Sequence, residues 1–264
     1  MRIYQVDAFS DQPFRGNPAC VCMLDTERPD AWLQAVAAEM DLSETAFVEP
    51  RDDGFGLRWF TPRQEVGLCG HATLAAAHIL WEEGRLPMRE AARFDTRSGL
   101  LTAVRDGAWI ALDFPARAVS AVEPYPALNC ALGAAPCRTS RASRPGGDTY
   151  LVELESEAEV RALRPDFTAR AASAARIAIV TARATEGEFD FVSRFFAPAI
   201  GIDEDPVTGA AHCYLAPYWA ARLGKGDLVG YQASARGIVR CRWEGERVVL
   251  RGKAVTVLRG DLLA

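Results

Sequence analysis

The chain has 264 residues, of which 49% are hydrophobic and 25% charged, and its formal net charge is −5. These proportions are typical of a globular protein with a sizeable core, and the lack of a lysine- and arginine-rich tract argues against nucleic acid binding. No run approaches the roughly 18 apolar residues of a membrane-spanning helix, and the N-terminal residues lack the apolar stretch of a signal peptide. We therefore expect a soluble, cytoplasmic protein.

The first part of the chain alternates strands with two helices. Pro29 opens a segment in which Leu33, Val36, Ala37 and Met40 share one face, which predicts an amphipathic helix. A second helix is predicted to end before Gly84. The predicted helices are 29–40 and 70–83, and the predicted strands are 2–8, 19–24, 45–49, 55–61, 93–96, 100–105 and 108–114.

Prolines at positions 115, 124 and 126 interrupt the pattern and mark a boundary between two lobes. We assign residues 1–118 to an N-terminal lobe, with 253–264 as a candidate strand completing it, and 119–252 to a C-terminal lobe. The second lobe is predicted to contain helices 156–163 and 207–222, the latter kinked at Pro217, among strands that run to residue 258. The expected fold class is α+β, with each lobe a mostly antiparallel sheet curled around a central helix.

Two segments of the chain resemble each other. Residues 58–62 read Arg-Trp-Phe-Thr-Pro, and residues 194–198 read Arg-Phe-Phe-Ala-Pro. Each is followed by a polar loop with an acidic residue and then by a glycine and small residues, starting at Gly70 and Gly209. The repeat predicts two similar lobes with a site between them, although common strand–loop–helix units could also match by chance.

The repeated helix starts indicate the kind of ligand. Unsatisfied backbone N–H groups and the positive end of the helix dipole favour an anion there, and small residues allow a close approach. Neither start carries a phosphate-loop or dinucleotide-binding motif, so nucleotides are not expected. The pattern favours a small carboxylic acid.

The seven cysteines (20, 22, 69, 130, 137, 213 and 241) show no disulfide framework, and there are only three histidines. We assign Cys20 and Cys22 to opposite faces of a strand and expect neither a disulfide nor a structural metal. Cys69 precedes a helix, where a thiol becomes nucleophilic. The matching segment of the second repeat, 205–208, has no cysteine, which disfavours catalysis by paired thiols.

Three residues could carry acid–base chemistry, and each has an ordinary structural explanation. His71 lies in the first turn of a helix whose positive end would keep the ring neutral, or it simply packs there. Asp205 precedes the second helix and is expected to be its N-cap, with a role in orienting a ligand as the alternative. From its position alone, Glu44 is expected to be a surface glutamate, with a role as general base as the alternative. His78 is expected to pack, and His212 is a weaker candidate.

Five ordered motifs resemble the phenazine-biosynthesis isomerase (PhzF-like) family over nearly the whole chain. They begin at Gln5, Gly16, Ser43, Cys69 and Asp205, and they read QVDAF, GNP, SETAF, CGHAT and DPVTG. The resemblance implies the diaminopimelate-epimerase fold, with two pseudo-symmetric lobes, a barrel-like sheet around a helix in each, and a cofactor-free active site between them. It also implies a homodimer.

The resemblance assigns roles residue by residue. It places the catalytic carboxylate on Glu44, the substrate-contacting histidine on His71 and a further acid on Asp205. The substrate-binding positions that it implies are Gly70, Ala72, Thr208, Gly209 and Ala210. Ala210 stands where the phenazine enzyme commonly has a serine, and Ile238 where members often carry glycine, so the phenazine substrate itself is not implied.

The function expected from the resemblance is a cofactor-independent isomerase that moves a proton on a small carboxylic acid, with no metal. An amino-acid racemase or epimerase on the same fold is one alternative, although the second thiol is missing. A non-catalytic protein that binds small acids is the other.

Overall fold

The computed structural model describes residues 1–143, 147–171, 175–185 and 187–263. The chain is a mixed α+β protein that divides into two compact units. Unit 1 comprises Met1–Asp113 with Val249–Ala264, and unit 2 comprises Phe114–Val248. Among the described residues, no helix is long and apolar enough to cross a membrane.

The described residues form six α-helices and eighteen strands. The helices are α1 (Asp30–Met40), α2 (Gly70–Glu82), α3 (Pro126–Leu132), α4 (Glu157–Ala162), α5 (Phe167–Ala171) and α6 (Gly209–Leu223). The strands are β1 (Arg2–Ala8), β2 (Asn17–Met23), β3 (Glu44–Arg51), β4 (Gly54–Phe60), β5 (Glu65–Val66), β6 (Ala92–Thr96), β7 (Gly99–Asp106), β8 (Trp109–Pro115), β9 (Ser120–Ala121), β10 (Arg138–Ala142), β11 (Thr149–Glu153), β12 (Ile177–Arg183), β13 (Phe191–Ala197), β14 (Ile202–Asp205), β15 (Asp227–Gln232), β16 (Gly237–Glu244), β17 (Arg247–Gly252) and β18 (Ala254–Asp261).

Unit 1 is a mostly antiparallel sheet with a buried helix. Strand β1 pairs antiparallel with β18 and β2, β2 runs parallel to β3, and β3 pairs antiparallel with β4. Strand β4 then pairs antiparallel with β5 and parallel with β6, and β6, β7 and β8 form an antiparallel series. Ten of the thirteen residues of α2 are buried. A helix that is apolar on all sides lies inside a core, as α2 does here.

Unit 2 repeats this arrangement. Strand β11 runs parallel to β12, β12 pairs antiparallel with β13, and β13 pairs antiparallel with β14 and parallel with β15. The pairings around β13 therefore match those around β4. Ten of the fifteen residues of α6 are buried, and α6 runs through Pro217. The internal duplication read from the sequence is confirmed as a duplication of sheet topology.

A cluster of buried side chains beneath α1 corrects one expectation. The predicted apolar face of α1 is confirmed, since Leu33, Val36 and Ala37 are buried in this cluster. Cys20 and Cys22 lie in the same cluster, with their Sγ atoms 3.8 Å apart. The assignment of these thiols to opposite faces was wrong, because residues two apart in a strand share a face.

Candidate active site

Glu44 is buried in unit 1. It is the first residue of β3, where it pairs with Ala19 of the parallel neighbour β2, and only 9% of its surface is exposed. Its Oε2 atom lies 3.3 Å from Nε2 of His71. The interpretation of Glu44 as a surface glutamate is therefore wrong, because the pairing of β3 with β2 buries this carboxylate beside the start of α2.

His71 is a neutral ring in this environment. It is the second residue of α2, and burial lowers its pKa to about 3. The depressed pKa expected from the sequence is confirmed, but burial causes it rather than the helix end. Asn17 Nδ2 lies 3.3 Å from Nδ1 of the ring. If Asn17 donates to Nδ1, the ring proton is on Nε2 and points at Glu44, which makes this contact a hydrogen bond between neutral imidazole and carboxylate.

Asn17 is a site residue to which no role was assigned from the sequence. It is fully buried at the start of β2, and its amide lies against the His71 ring. The preceding Gly16 has a φ of +83°, and a Cβ there would lie 2.3 Å from the carbonyl oxygen of Ala8. In the sequence, the available signal was a glycine followed by an amide residue. A tight turn at Gly16 places Asn17 at the start of the strand.

Cys69 completes a cluster of three ionisable groups. It is the N-cap residue of α2, it is buried, and its Sγ lies 3.5 Å from Nδ1 and 4.0 Å from Nε2 of His71. One ligand atom each from Glu44, Cys69 and His71 lie within 4.8 Å of one another. The thiol that the sequence disfavoured as one of a catalytic pair is thus adjacent to both predicted catalytic groups of this unit.

The start of α2 offers backbone donors as expected. The first bond inside the helix is donated by the Thr73 N–H to the carbonyl of Cys69, so the N–H groups of Gly70, His71 and Ala72 precede the helical pattern. Gly70 is partly exposed, whereas Ala72 is fully buried.

In unit 2, Asp205 belongs to a buried network. The sequence predicted Asp205 as the N-cap of α6, and this prediction is wrong, because Asp205 is the last residue of β14. The N-cap is Thr208, whose hydroxyl donates to Asp205 Oδ2. Gln232 Oε1 accepts the Thr208 N–H at 2.8 Å, and its Nε2 donates to the Asp205 carbonyl at 2.8 Å. No role was assigned to Gln232 from the sequence, because its partners lie in distant segments.

The remaining predicted site residues of unit 2 differ in solvent exposure. Gly209 is buried at the first position of α6, and the Ala210 side chain is exposed. His212 is fully buried, its Nδ1 lies 2.8 Å from the Thr208 carbonyl oxygen, and burial lowers its pKa to about 4. His212 therefore fixes the helix start from inside the core. In unit 1, His78 contacts Thr256 Oγ1 at 3.1 Å, in agreement with a packing role.

The fold is shared with a distant solved structure. A protein from Agrobacterium radiobacter described as a probable proline racemase has a structure that aligns with a TM-score of 0.65 at 11% identity, over 99% of this chain and 92% of that one. The family model described as phenazine biosynthesis-like protein matches residues 6–260, and the chain belongs to this family.

Individual relatives agree with this assignment. An uncharacterized isomerase of Halalkalibacterium halodurans is 50% identical over 99% of this chain and 98% of the relative. The crystal structure of a PhzF-family phenazine biosynthesis protein of Enterococcus faecalis is 37% identical, with a TM-score of 0.93 over 100% of this chain and 99% of that one. The protein is accordingly an enzyme of isomerase type.

Proposed function

We propose that this enzyme is a cofactor-independent isomerase that moves a proton on a small carboxylic acid. The observation that carries the proposal is the buried Glu44 carboxylate, 3.3 Å from the neutral His71 ring. A desolvated carboxylate with a neighbouring hydrogen-bond donor has the properties of a general base and acid. The proposed proton transfer uses only side chains of this protein.

In the proposed reaction, a Glu44 oxygen removes an activated C–H proton, and the bonding electrons delocalise into the acid or a conjugated group of the substrate. Glu44 then returns a proton to another carbon. Alternatively, His71 delivers its Nε2 proton to that carbon and takes up the proton held by Glu44, so that both groups regain their starting states. The proton held on Glu44 exchanges with solvent, so deuterium enters the product in D₂O. Because the His71 ring is neutral, its N–H stabilises the developing negative charge as a hydrogen-bond donor.

The substrate carboxylate is proposed to bind at helix starts. The N–H groups of Gly70 and Ala72 are the proposed donors in unit 1. In unit 2 the proposed contacts are Thr208, Gly209 and Ala210, with Asp205 as a further catalytic carboxylate. These assignments are supported by the family membership and by the repeated helix starts.

The test is hydrogen exchange in D₂O, followed by NMR. The substrates are a panel of amino acids, hydroxy acids and the cyclic precursor 2,3-dihydro-3-hydroxyanthranilate, with wild type and Glu44→Gln compared. Glutamine keeps an oxygen that can accept the His71 N–H, so fold and binding should survive. Removal of the base should slow exchange by roughly 10²–10⁴-fold.

Glu49→Gln is the matched control, because Glu49 is on the same strand, is only partly buried and contacts Arg51 rather than His71. It should exchange at the wild-type rate. Full exchange by Glu44→Gln would remove Glu44 from the mechanism.

An amino-acid racemase is the second candidate, and the position of Cys69 favours it, since a thiol lies 3.5 Å from His71. A racemase would incorporate deuterium at a stereocentre with inversion, whereas the isomerase places it on a different carbon. A non-catalytic binding protein would bind members of the panel and exchange none of their protons.

We also propose that the protein is a cytoplasmic homodimer, on the strength of the family resemblance. Sedimentation equilibrium tests the stoichiometry: a species of twice the chain mass agrees with the proposal, and a monomer at all concentrations contradicts it.

A further inference from the structure

Three different metal-ligand atoms converge at the start of α2. The carboxylate of Glu44, the thiol of Cys69 and the imidazole of His71 come from the start of β3, the N-cap and the first turn of the helix. Among the described residues, these three side chains form a group whose potential metal-ligand atoms lie within 4.8 Å of one another. We propose that Glu44, Cys69 and His71 bind a divalent cation of the Zn²⁺ type, and that the bound cation blocks proton transfer.

The separations fit a tetrahedral ion. Zinc bonds of about 2.0–2.1 Å to nitrogen, 2.3 Å to sulfur and 2.0–2.2 Å to oxygen place neighbouring ligand atoms roughly 3.3–3.6 Å apart. His71 Nε2 lies 3.3 Å from Glu44 Oε2 and 4.0 Å from Cys69 Sγ. The nitrogen–oxygen edge is already at the required length. The nitrogen–sulfur edge must shorten by a few tenths of an ångström, and the three ligand atoms all lie within 4.8 Å of one another.

The ligand types select the cation. One nitrogen, one sulfur and one oxygen suit Zn²⁺ or Co²⁺, whereas Mg²⁺ and Ca²⁺ require oxygen ligands. A thiolate and a carboxylate together neutralise the charge of a divalent ion in this buried position. Three protein ligands leave the fourth tetrahedral position for water or for an oxygen of a small acid.

A neighbouring side chain can hold the histidine in the required orientation. Metal-bound imidazoles donate the second ring N–H to an oxygen acceptor. Asn17 is fully buried with its amide 3.3 Å from His71 Nδ1. With its oxygen turned toward the ring, this amide would accept the Nδ1–H while Nε2 binds the ion.

Inhibition follows from the shared oxygen and nitrogen atoms. A cation on Glu44 occupies the lone pair that would accept the substrate proton, and a cation on His71 replaces its Nε2 proton. This inhibitory effect rests on the proposed function, whereas the binding itself does not.

The test is titration of the purified protein with Co²⁺, read by absorption spectroscopy, and with Zn²⁺, read by competition with a chromophoric indicator. Both are done in a Cys130→Ser/Cys137→Ser background, because these two cysteines are exposed and could bind cations adventitiously. One equivalent of Co²⁺ should give a thiolate-to-cobalt charge-transfer band. Cys69→Ser should abolish the band, and His71→Asn should weaken Zn²⁺ binding by roughly 100-fold.

His78→Asn is the control for the histidine, since it lies on the same helix outside the cluster and should bind normally. The absence of a charge-transfer band, or a band that survives Cys69→Ser, would overturn the site.

Inhibition is tested separately, by the D₂O exchange assay in the presence of a chelator. Exchange in chelator that Zn²⁺ abolishes supports both proposals, and a cation that binds to a protein with no exchange activity contradicts only the proposed function. Exchange lost on chelation would overturn the inhibitory role.

Discussion

Arg194 holds the carboxylate of Glu204 with two hydrogen bonds, each 2.7 Å long, from Nε and Nη2. Arg58 holds Glu65 in the same way in the other unit, with two bonds of 2.8 Å. Each arginine opens one of the two similar sequence segments, and each glutamate lies in the short strand that follows, β5 for Glu65 and β14 for Glu204. The sequence repeat is therefore also a repeat of one bidentate ion pair, which links this short strand to the preceding strand of the sheet.

The Arg194 pair is predicted to stabilise its unit more than the Arg58 pair. Arg194 Nη1 also donates to the carbonyls of Val160 and Leu163, and the side chain is only 11% exposed. Lysine keeps the charge but cannot make the bidentate pair and these bonds together. We expect Arg194→Lys to lower the free energy of unfolding by about 2 kcal/mol.

Arg58→Lys is the comparison, because Arg58 is 24% exposed and part of its pairing is with the exposed Asp30. We expect a loss of about 1 kcal/mol or less there. Urea unfolding of the two variants measures the difference. An equal or larger loss for Arg58→Lys would show that the carbonyl bonds of Arg194 add nothing.

Local signals account for the parts of the fold that the sequence predicted well. The helices expected at 29–40 and 70–83 are Asp30–Met40 and Gly70–Glu82, because apolar periodicity and end signals are properties of neighbouring residues. The repeat was also visible, since it preserved the order of strand, acidic loop and small-residue helix start.

Contacts between distant segments account for what the sequence missed. Glu44 looked like a surface residue because its burial depends on the parallel pairing of β3 with β2. Asp205 looked like an N-cap because the spacing could not show that Thr208 caps the helix while its hydroxyl binds Asp205. The family resemblance supplied the predicted catalytic role of Glu44, which spacing alone did not indicate.

Gln232 is predicted to be the key structural residue of the Asp205 network. Its side chain is fully buried and binds the Thr208 N–H, the Thr208 hydroxyl and the Asp205 carbonyl. Gln232→Leu would leave these groups buried without that partner, so we expect a loss of about 2–3 kcal/mol in the free energy of unfolding.

Gln34→Leu is the control for that variant, because Gln34 makes one bond, to the Thr61 carbonyl, in a partly buried position. It should cost about 1 kcal/mol or less. Thermal and urea unfolding compare the two variants. Similar losses in the free energy of unfolding would mean that the Asp205 network stabilises the protein no more than the single bond of Gln34.

The space beside Gly237 is predicted to be too small for a methyl group. A Cβ there would lie 2.1 Å from Cγ2 and 3.0 Å from Cβ of Val207, which is itself fully buried. Gly237→Ala should therefore push Val207 away and cost about 1–3 kcal/mol.

The double variant Gly237→Ala/Val207→Ala isolates the cause. Removal of the valine methyl groups makes room for the new Cβ, so the double variant should be more stable than the sum of the two single effects predicts. Simple additivity in urea unfolding would show that the glycine is required for another reason.

Stability is predicted to fall as the pH falls below about 6.5. Burial lowers the pKa of His212 to about 4 and of His71 to about 3, whereas an unfolded histidine titrates near 6.5. Between these values the unfolded chain binds protons that the folded chain does not. Each histidine therefore lowers the free energy of unfolding by up to about 1.4 kcal/mol per pH unit as the pH decreases.

Urea unfolding between pH 7.5 and 5.5 measures this slope, and His212→Asn assigns part of it. Asparagine keeps an N–H donor for the Thr208 carbonyl, which His212 Nδ1 contacts at 2.8 Å, but it does not titrate. The variant should be less stable than wild type at pH 7.5. As the pH decreases, its free energy of unfolding should fall less steeply than that of wild type, by up to about 1.4 kcal/mol per pH unit. His78→Asn removes a partly exposed histidine whose pKa is lowered in the same direction and should change the slope less. If the slope of His212→Asn equals that of wild type, His212 is already protonated in the folded protein above pH 5.5.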